Sequence, residues 1–156
     1  MIDPRSGAPI YSLYSGSGSG MTQEMLDSFD TFVYDIQDVG ARLYTYPGQL
    51  KKAMRELAGL GKRIVILDRP NPLGCGVDGK VREDGLDALS SFHNIPARYG
   101  LTIGELAKMF NEEENLGCDL HIVPMEGYRR EMYYRDTGLH YVNPSPNLPT
   151  LDGVAL

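Results

Sequence analysis

Ile64-Val65-Ile66-Leu67 is an unbroken, mostly β-branched apolar run, with Lys62-Arg63 before it and Asp68-Arg69-Pro70-Asn71-Pro72 after it. A strand with no polar alternation suits the centre of a parallel sheet, where helices cover it. Parallel neighbours cannot be joined by tight turns, so the connections on either side must be long and helical. The chain supplies both. Residues 31–36 form an earlier apolar and aromatic run, and after it Leu50, Ala53, Met54, Leu57 and Ala58 recur at helical spacing, with Pro47 suited to the first turn and Gly59 and Gly61 to the stop. Beyond the central run, Thr102-Ile103-Gly104-Glu105 has capping-box spacing, and Ile103, Leu106, Ala107 and Phe110 make a second stripe that Asn115 and Gly117 can end. Residues 119–123 read as a third strand. The order strand, helix, strand, helix, strand predicts an α/β fold with a mostly parallel sheet.

In such sheets ligands bind at the carboxyl ends of the strands, and each run here ends in polar residues. The first is followed by Asp38, Arg42, Tyr44 and Tyr46, the second by Asp68, Arg69 and Asn71, and the third by Glu126, Arg129 and Arg130. Converging carboxylates and guanidinium groups suit a polar, anionic small molecule, because arginine grips carboxylates through paired hydrogen bonds. Each residue also has a plainer reading. Asp38 is either an acid/base carboxylate or a cap on the turn; Arg42 either clamps an anion or pairs with Asp35 or Asp38; Asp68 and Arg69 either meet a ligand or brace the Pro-Asn-Pro turn as an ion pair. Asn71, held between two prolines, offers a donor and an acceptor, and the tyrosines are either packing or stacking surfaces.

Residues 1–21 read as a leading loop and short extended piece ending in a Gly/Ser-rich linker, residues 22–142 as one α/β domain, and residues 143–156 as a Pro-rich loop leading out of it. Residues 73–91, rich in Gly and Asp, predict a long irregular excursion. A formal charge of −6 and the lack of a Lys/Arg cluster argue against nucleic acid, and the same sign disfavours anionic membranes. No apolar run approaches the roughly 20 residues of a membrane helix, and the first residues do not form a signal sequence. His93, His121 and His140 are scattered, and Cys75 and Cys118 lack ligand spacing, so no metal is expected and the cysteines read as free thiols. No phosphate-binding glycine motif follows a strand, so no nucleotide cofactor is expected.

The segments DIQDVGARLYTY (35–46), LDRPNPLG (67–74), IPARYGLTIGELAKMFN (95–111), IVPMEGYRR (122–130) and PSPNLPTLD (144–152) resemble, in the same order, the bacterial exo-β-N-acetylmuramidase family. The resemblance implies a Rossmann-like three-layer fold, present here only in its central part. It also implies a glycosidase that releases N-acetylmuramic acid from the non-reducing end of peptidoglycan fragments, in a cleft shared with a second, smaller domain. The lactyl carboxylate of that sugar gives Arg42, Arg69, Arg98 and Arg130 a purpose, with Tyr44 or Tyr46 stacking on the ring and Asp68, Asn71, Glu126 and Asn147 as further substrate contacts. In the family the catalytic glutamate belongs to a Pro-Glu-His-Gly segment, and no Glu-His pair occurs in this sequence, which leaves Asp38 as the supporting carboxylate. The resemblance places the intact protein in the periplasm or outside the cell. The alternative is a non-catalytic muropeptide or sugar-acid binding module.

Overall fold

Three parallel strands lie side by side in a computed structural model that describes residues 1–13, 20–83, 85–86 and 88–155. Strand β1 (Thr31–Tyr34) pairs with β2 (Arg63–Leu67), and β2 pairs with β3 (Asp119–Val123), in the order β1-β2-β3. The predicted central strand is therefore central. Of the Gly/Ser run at 15–20, only Gly20 lies within the described residues.

Helix α1 (Gln23–Asp27) precedes β1, helix α2 (Tyr46–Leu57) links β1 to β2, and helix α3 (Ile103–Glu113) links β2 to β3. The apolar stripe of α2 buries Leu50, Ala53, Met54 and Leu57, and that of α3 buries Ile103, Leu106, Ala107 and Phe110. Both stripes pack into one core with Tyr34, Ile64 and Ile66. Fully burying a Leu, Ile, Met or Phe side chain contributes about 1.5–3 kcal/mol, so the six large side chains of these stripes are ample reason for the helices to lie where they do. The capping box at α3 forms as read: the Thr102 hydroxyl accepts from the Glu105 N–H at 3.2 Å, and the Glu105 carboxylate accepts from the Thr102 N–H at 2.9 Å. Asn115, at φ +52°, follows the helix end.

Two details differ from the sequence reading. Strand β1 stops at Tyr34, two residues early, because Asp35 leaves the ladder to meet Arg69, and Ile36 is exposed. The sheet also has one well-covered face: Val33 is 53 % exposed and Val123 38 %, while Ile64 and Ile66 on the opposite face are fully buried. Residues 68–101 contain no helix or strand element among those described, as expected of a long excursion, and Asp78 and Arg98 bridge across it. The sequence closes with a 3₁₀ turn (Tyr134–Thr137) and a short helix, α4 (Asp152–Ala155). No helix among the described residues is long and apolar enough to cross a membrane.

Candidate functional site

A cavity of about 630 Å³ opens at the carboxyl ends of the three strands. Asp35 borders it from the end of β1, Leu67 to Pro70 from β2, Met125 to Tyr128 from β3, and Met132, Asp136, Thr137 and Leu139 close its far side. Of the residues singled out in the sequence, Asp68, Arg69 and Glu126 line this cavity.

Arg69 does not pair with its neighbour Asp68. Its Nε and Nη2 both donate to Oδ1 of Asp35, at 2.8 and 2.5 Å. Asp68 is taken up otherwise: Oδ2 accepts from the Thr102 hydroxyl at 2.9 Å, and Oδ1 accepts from the N–H of Gly104 at 2.8 Å and of Arg69 at 3.1 Å. A carboxylate at the first turn of α3 satisfies free N–H groups and meets the positive end of the helix dipole, which outcompetes a pair with the adjacent side chain. Gly104 permits this approach, since a Cβ there would lie 2.9 Å from the Asp68 carboxyl carbon and 2.8 Å from Ile122 Cγ2.

The other predicted residues also converge, but on a stretch of chain. Residues 95–101 run irregularly through the interior, and their carbonyls must find donors that no sheet provides. Arg42 supplies three bonds around it: its N–H to Ala97 O at 2.8 Å, and its Nη1 to Ile95 O and to Lys80 O, the latter at 2.9 Å. Arg42 thus pairs with neither Asp35 nor Asp38. The Nη2 of Arg98 donates to Leu73 O, Asn71 Nδ2 to Leu101 O at 2.9 Å, and Arg130 Nη1 to Gly100 O at 2.9 Å, with its Nη2 on Glu105. The acceptor of Asn71 is used as well, by the Leu73 N–H at 2.9 Å. Gly40, at φ +81°, packs so closely on the Asn71 amide that any Cβ would overlap it.

Asp38 is 6 % exposed and is not among the residues of the cavity wall. Its Oδ2 accepts from the Tyr99 hydroxyl and from the Gly40 N–H at 3.2 Å, while Oδ1 is buried with no hydrogen-bond partner among the described residues. Desolvation pushes its carboxyl up to about 6 against the opposing pull of the Tyr99 hydroxyl and the backbone N–H groups. Burial, together with the Asp38 charge, also holds the Tyr99 phenol well above its ordinary range.

Tyr44 and Tyr46 sit edge to face with centroids 4.6 Å apart, and both hydroxyls donate to Pro144 O, at 3.1 and 2.9 Å. The Pro-rich tail therefore lies against this pair, and neither ring is on the cavity wall. Asn147 is exposed beyond it and does not reach the cavity either. Tyr128 does border the cavity; burial raises its phenol, opposed by a hydrogen bond from the Asn71 backbone. Sequence reasoning missed Asp35 and Asp136 as wall residues. Asp35 sits at the end of β1, a position that could have signalled it, but Asp136 lies in the 3₁₀ turn, which is too short to carry a periodic cue. Among the described residues no group of three or more His, Cys, Asp or Glu could hold a metal ion, and both cysteines are free.

A model of the family described as exo-β-N-acetylmuramidase NamZ, N-terminal, matches residues 1–152. The chain is 42 % identical over 152 residues to the peptidoglycan β-N-acetylmuramidase NamZ of Bacillus subtilis (strain 168), a match that covers 97 % of this chain and 36 % of that protein. Two crystal structures of DUF1343 family proteins from Bacteroides fragilis NCTC 9343 superimpose with TM-scores of 0.91 and 0.85, at 44 % and 36 % identity. Each covers 98 % of this chain, which in turn spans 40 % and 42 % of theirs. The chain thus spans less than half the length of these relatives.

Proposed function

The chain belongs to the exo-β-N-acetylmuramidase NamZ family, and from that premise we propose that it forms the sugar-holding part of a glycoside hydrolase that releases N-acetylmuramic acid from the non-reducing end of peptidoglycan fragments. The observation that carries this reading is the cavity at the strand ends, with Asp35, Arg69, Glu126, Tyr128 and Asp136 on its wall. A site of that size takes a monosaccharide, and its mixture of carboxylates, a guanidinium and a phenol matches the hydroxyl, amide and carboxylate groups of a muramic acid unit.

Glycoside hydrolysis ordinarily uses two carboxyl groups, one protonating the leaving oxygen and the other acting as nucleophile or base. Asp38, with its carboxylate turned inward onto Tyr99 and Gly40, serves as a positioning residue: it holds the turn after β1 that presents Asp35 to the cavity. The acid is supplied by the Pro-Glu-His-Gly segment of the longer family member. Release of chromophore from a chromogenic N-acetylmuramide, by this chain and by its full-length counterpart, tests the reading. Turnover by the longer protein is expected, and turnover by neither refutes it. A non-catalytic muropeptide-binding module is the second reading, favoured by the burial of Asp38. Binding of N-acetylmuramic acid by a longer protein that never turns over substrate would select it.

A further inference from the structure

We propose that Asp35 occupies Arg69 as an internal stand-in for a substrate carboxylate, and that a sugar bearing a carboxylate displaces it. The inference rests on reading the strand-end cavity as the sugar site, and it names the residue pair that would distinguish N-acetylmuramic acid from N-acetylglucosamine there.

Four arginines are candidates for meeting an acid, and the structure separates them. Arg42, Arg98 and Arg130 are spent on backbone carbonyls of the irregular segment and its surroundings, and moving any of them would strip a donor from Ile95, Leu73 or Gly100. Arg69 differs in both partner and place. It is the one cation among the described residues that line the cavity, and its side chain is 39 % exposed. Its partner Asp35 is 47 % exposed and lines the same cavity, so the pair can open without leaving either charge in a dry interior.

The contact is also incomplete as an arginine–carboxylate pair. Both guanidinium bonds end on the single oxygen Oδ1. A ligand carboxylate approaching from the cavity can present two oxygens to two N–H groups, the geometry in which such pairs are strongest. The rest of the wall makes the exchange selective. Asp68, Glu126 and Asp136 contribute further negative charge, so an acid gains nothing from this cavity except at Arg69. Asp35 holds the guanidinium in place for the uncharged relatives of the substrate and gives it up to the charged one. The preference for the acid therefore comes from Arg69, and Asp35 is a competitor built into the chain that sets how tightly the acid can bind.

Titration of the chain with N-acetylmuramic acid and with N-acetylglucosamine at low ionic strength tests the exchange, followed by calorimetry and by the side-chain Nε–H resonance of Arg69. The unsubstituted chain should prefer the acid, and the Arg69 resonance should move with the acid and not with the neutral sugar. Asp35→Asn should tighten the acid about tenfold relative to the neutral sugar, while Arg69→Gln should abolish the preference for the acid. Arg69→Lys, which retains the charge without the fork, should restore part of it. If both sugars bind but Asp35→Asn leaves the acid no tighter, or Arg69→Gln keeps the preference, the exchange is wrong while the sugar site stands. If neither sugar binds any form, the sugar site is wrong and the exchange falls with it.

Discussion

Replacing Asp38 by Asn should change how stability depends on pH, and the size of the change follows from its burial. The carboxyl is 6 % exposed, one oxygen has no partner among the described residues, and its pKa is raised from 3.8 to about 6. A raised carboxylate pKa means that the fold favours the protonated form. The contribution of Asp38 is therefore fully present below about pH 4 and is lost as pH rises through about 6. At about 1.36 kcal/mol per pKa unit the complete loss is about 3 kcal/mol, of which about 2 kcal/mol falls between pH 4.5 and 7.5. Asparagine keeps the shape and can accept from Tyr99 and Gly40, but it does not ionise. Urea unfolding of both proteins at a series of pH values isolates Asp38, because the other carboxylates titrate in both and cancel in the difference. The Asn form should gain about 2 kcal/mol on the parent between pH 4.5 and 7.5. A stability difference that stays constant across that range would refute the reasoning, since it would mean that the buried carboxylate does not titrate in this window.

Gly104→Ala should destabilise by about 1–3 kcal/mol in thermal or urea unfolding, although helix propensity alone predicts a gain of about 1 kcal/mol, because the new Cβ meets Ile122 and the Asp68 carboxyl at 2.8 and 2.9 Å. Lys51→Met should cost about 3 kcal/mol in the same assay. Its buried ammonium donates to Phe92 O at 2.8 Å, His93 Nδ1 at 2.9 Å and Glu114 at 2.6 Å, and a thioether removes that donor from Phe92 O and His93 Nδ1, leaving Glu114 to Arg55 alone. Iodoacetamide at pH 8 should label Cys75 before Cys118, followed by peptide mass spectrometry, since Cys75 is exposed while Cys118 is half-buried with its thiol pushed up by desolvation.

The parts of the molecule with a period were legible before the structure. Leu50 to Leu57 and Ile103 to Phe110 repeat at helical spacing, and the apolar run at Ile64 admits one position in a sheet. The capping box at Thr102 is a local motif whose two bonds need no tertiary context. The site was legible only in outline. Polar residues do arrive at the strand ends, but the sequence carries no sign of which meet solvent and which meet chain. Arg42, Asn71 and Arg130 were drawn inward by the carbonyls of residues 95–101, an irregular segment with no pattern to announce its unmet acceptors. Asp68 was claimed by a helix that begins more than thirty residues later. The far wall of the cavity comes from residues 132–139, where neither spacing nor composition marks a site.

The parallel sheet has a consequence for how the chain reaches its native state. Arg63 sits opposite Thr31 on one side and Asp119 on the other, and the latter partner is 56 residues away. No hairpin can seed such a sheet, so a large loop must close before β2 gains each neighbour, and the entropy of closing it comes before any bond of that ladder returns it. Folding should accordingly be slow for a chain of this length, with α2 and α3 fluctuating into shape well ahead of the strands they connect. Until β3 docks, the apolar edge of Ile64 to Leu67 stands open to other chains, so refolding yield should fall as protein concentration rises.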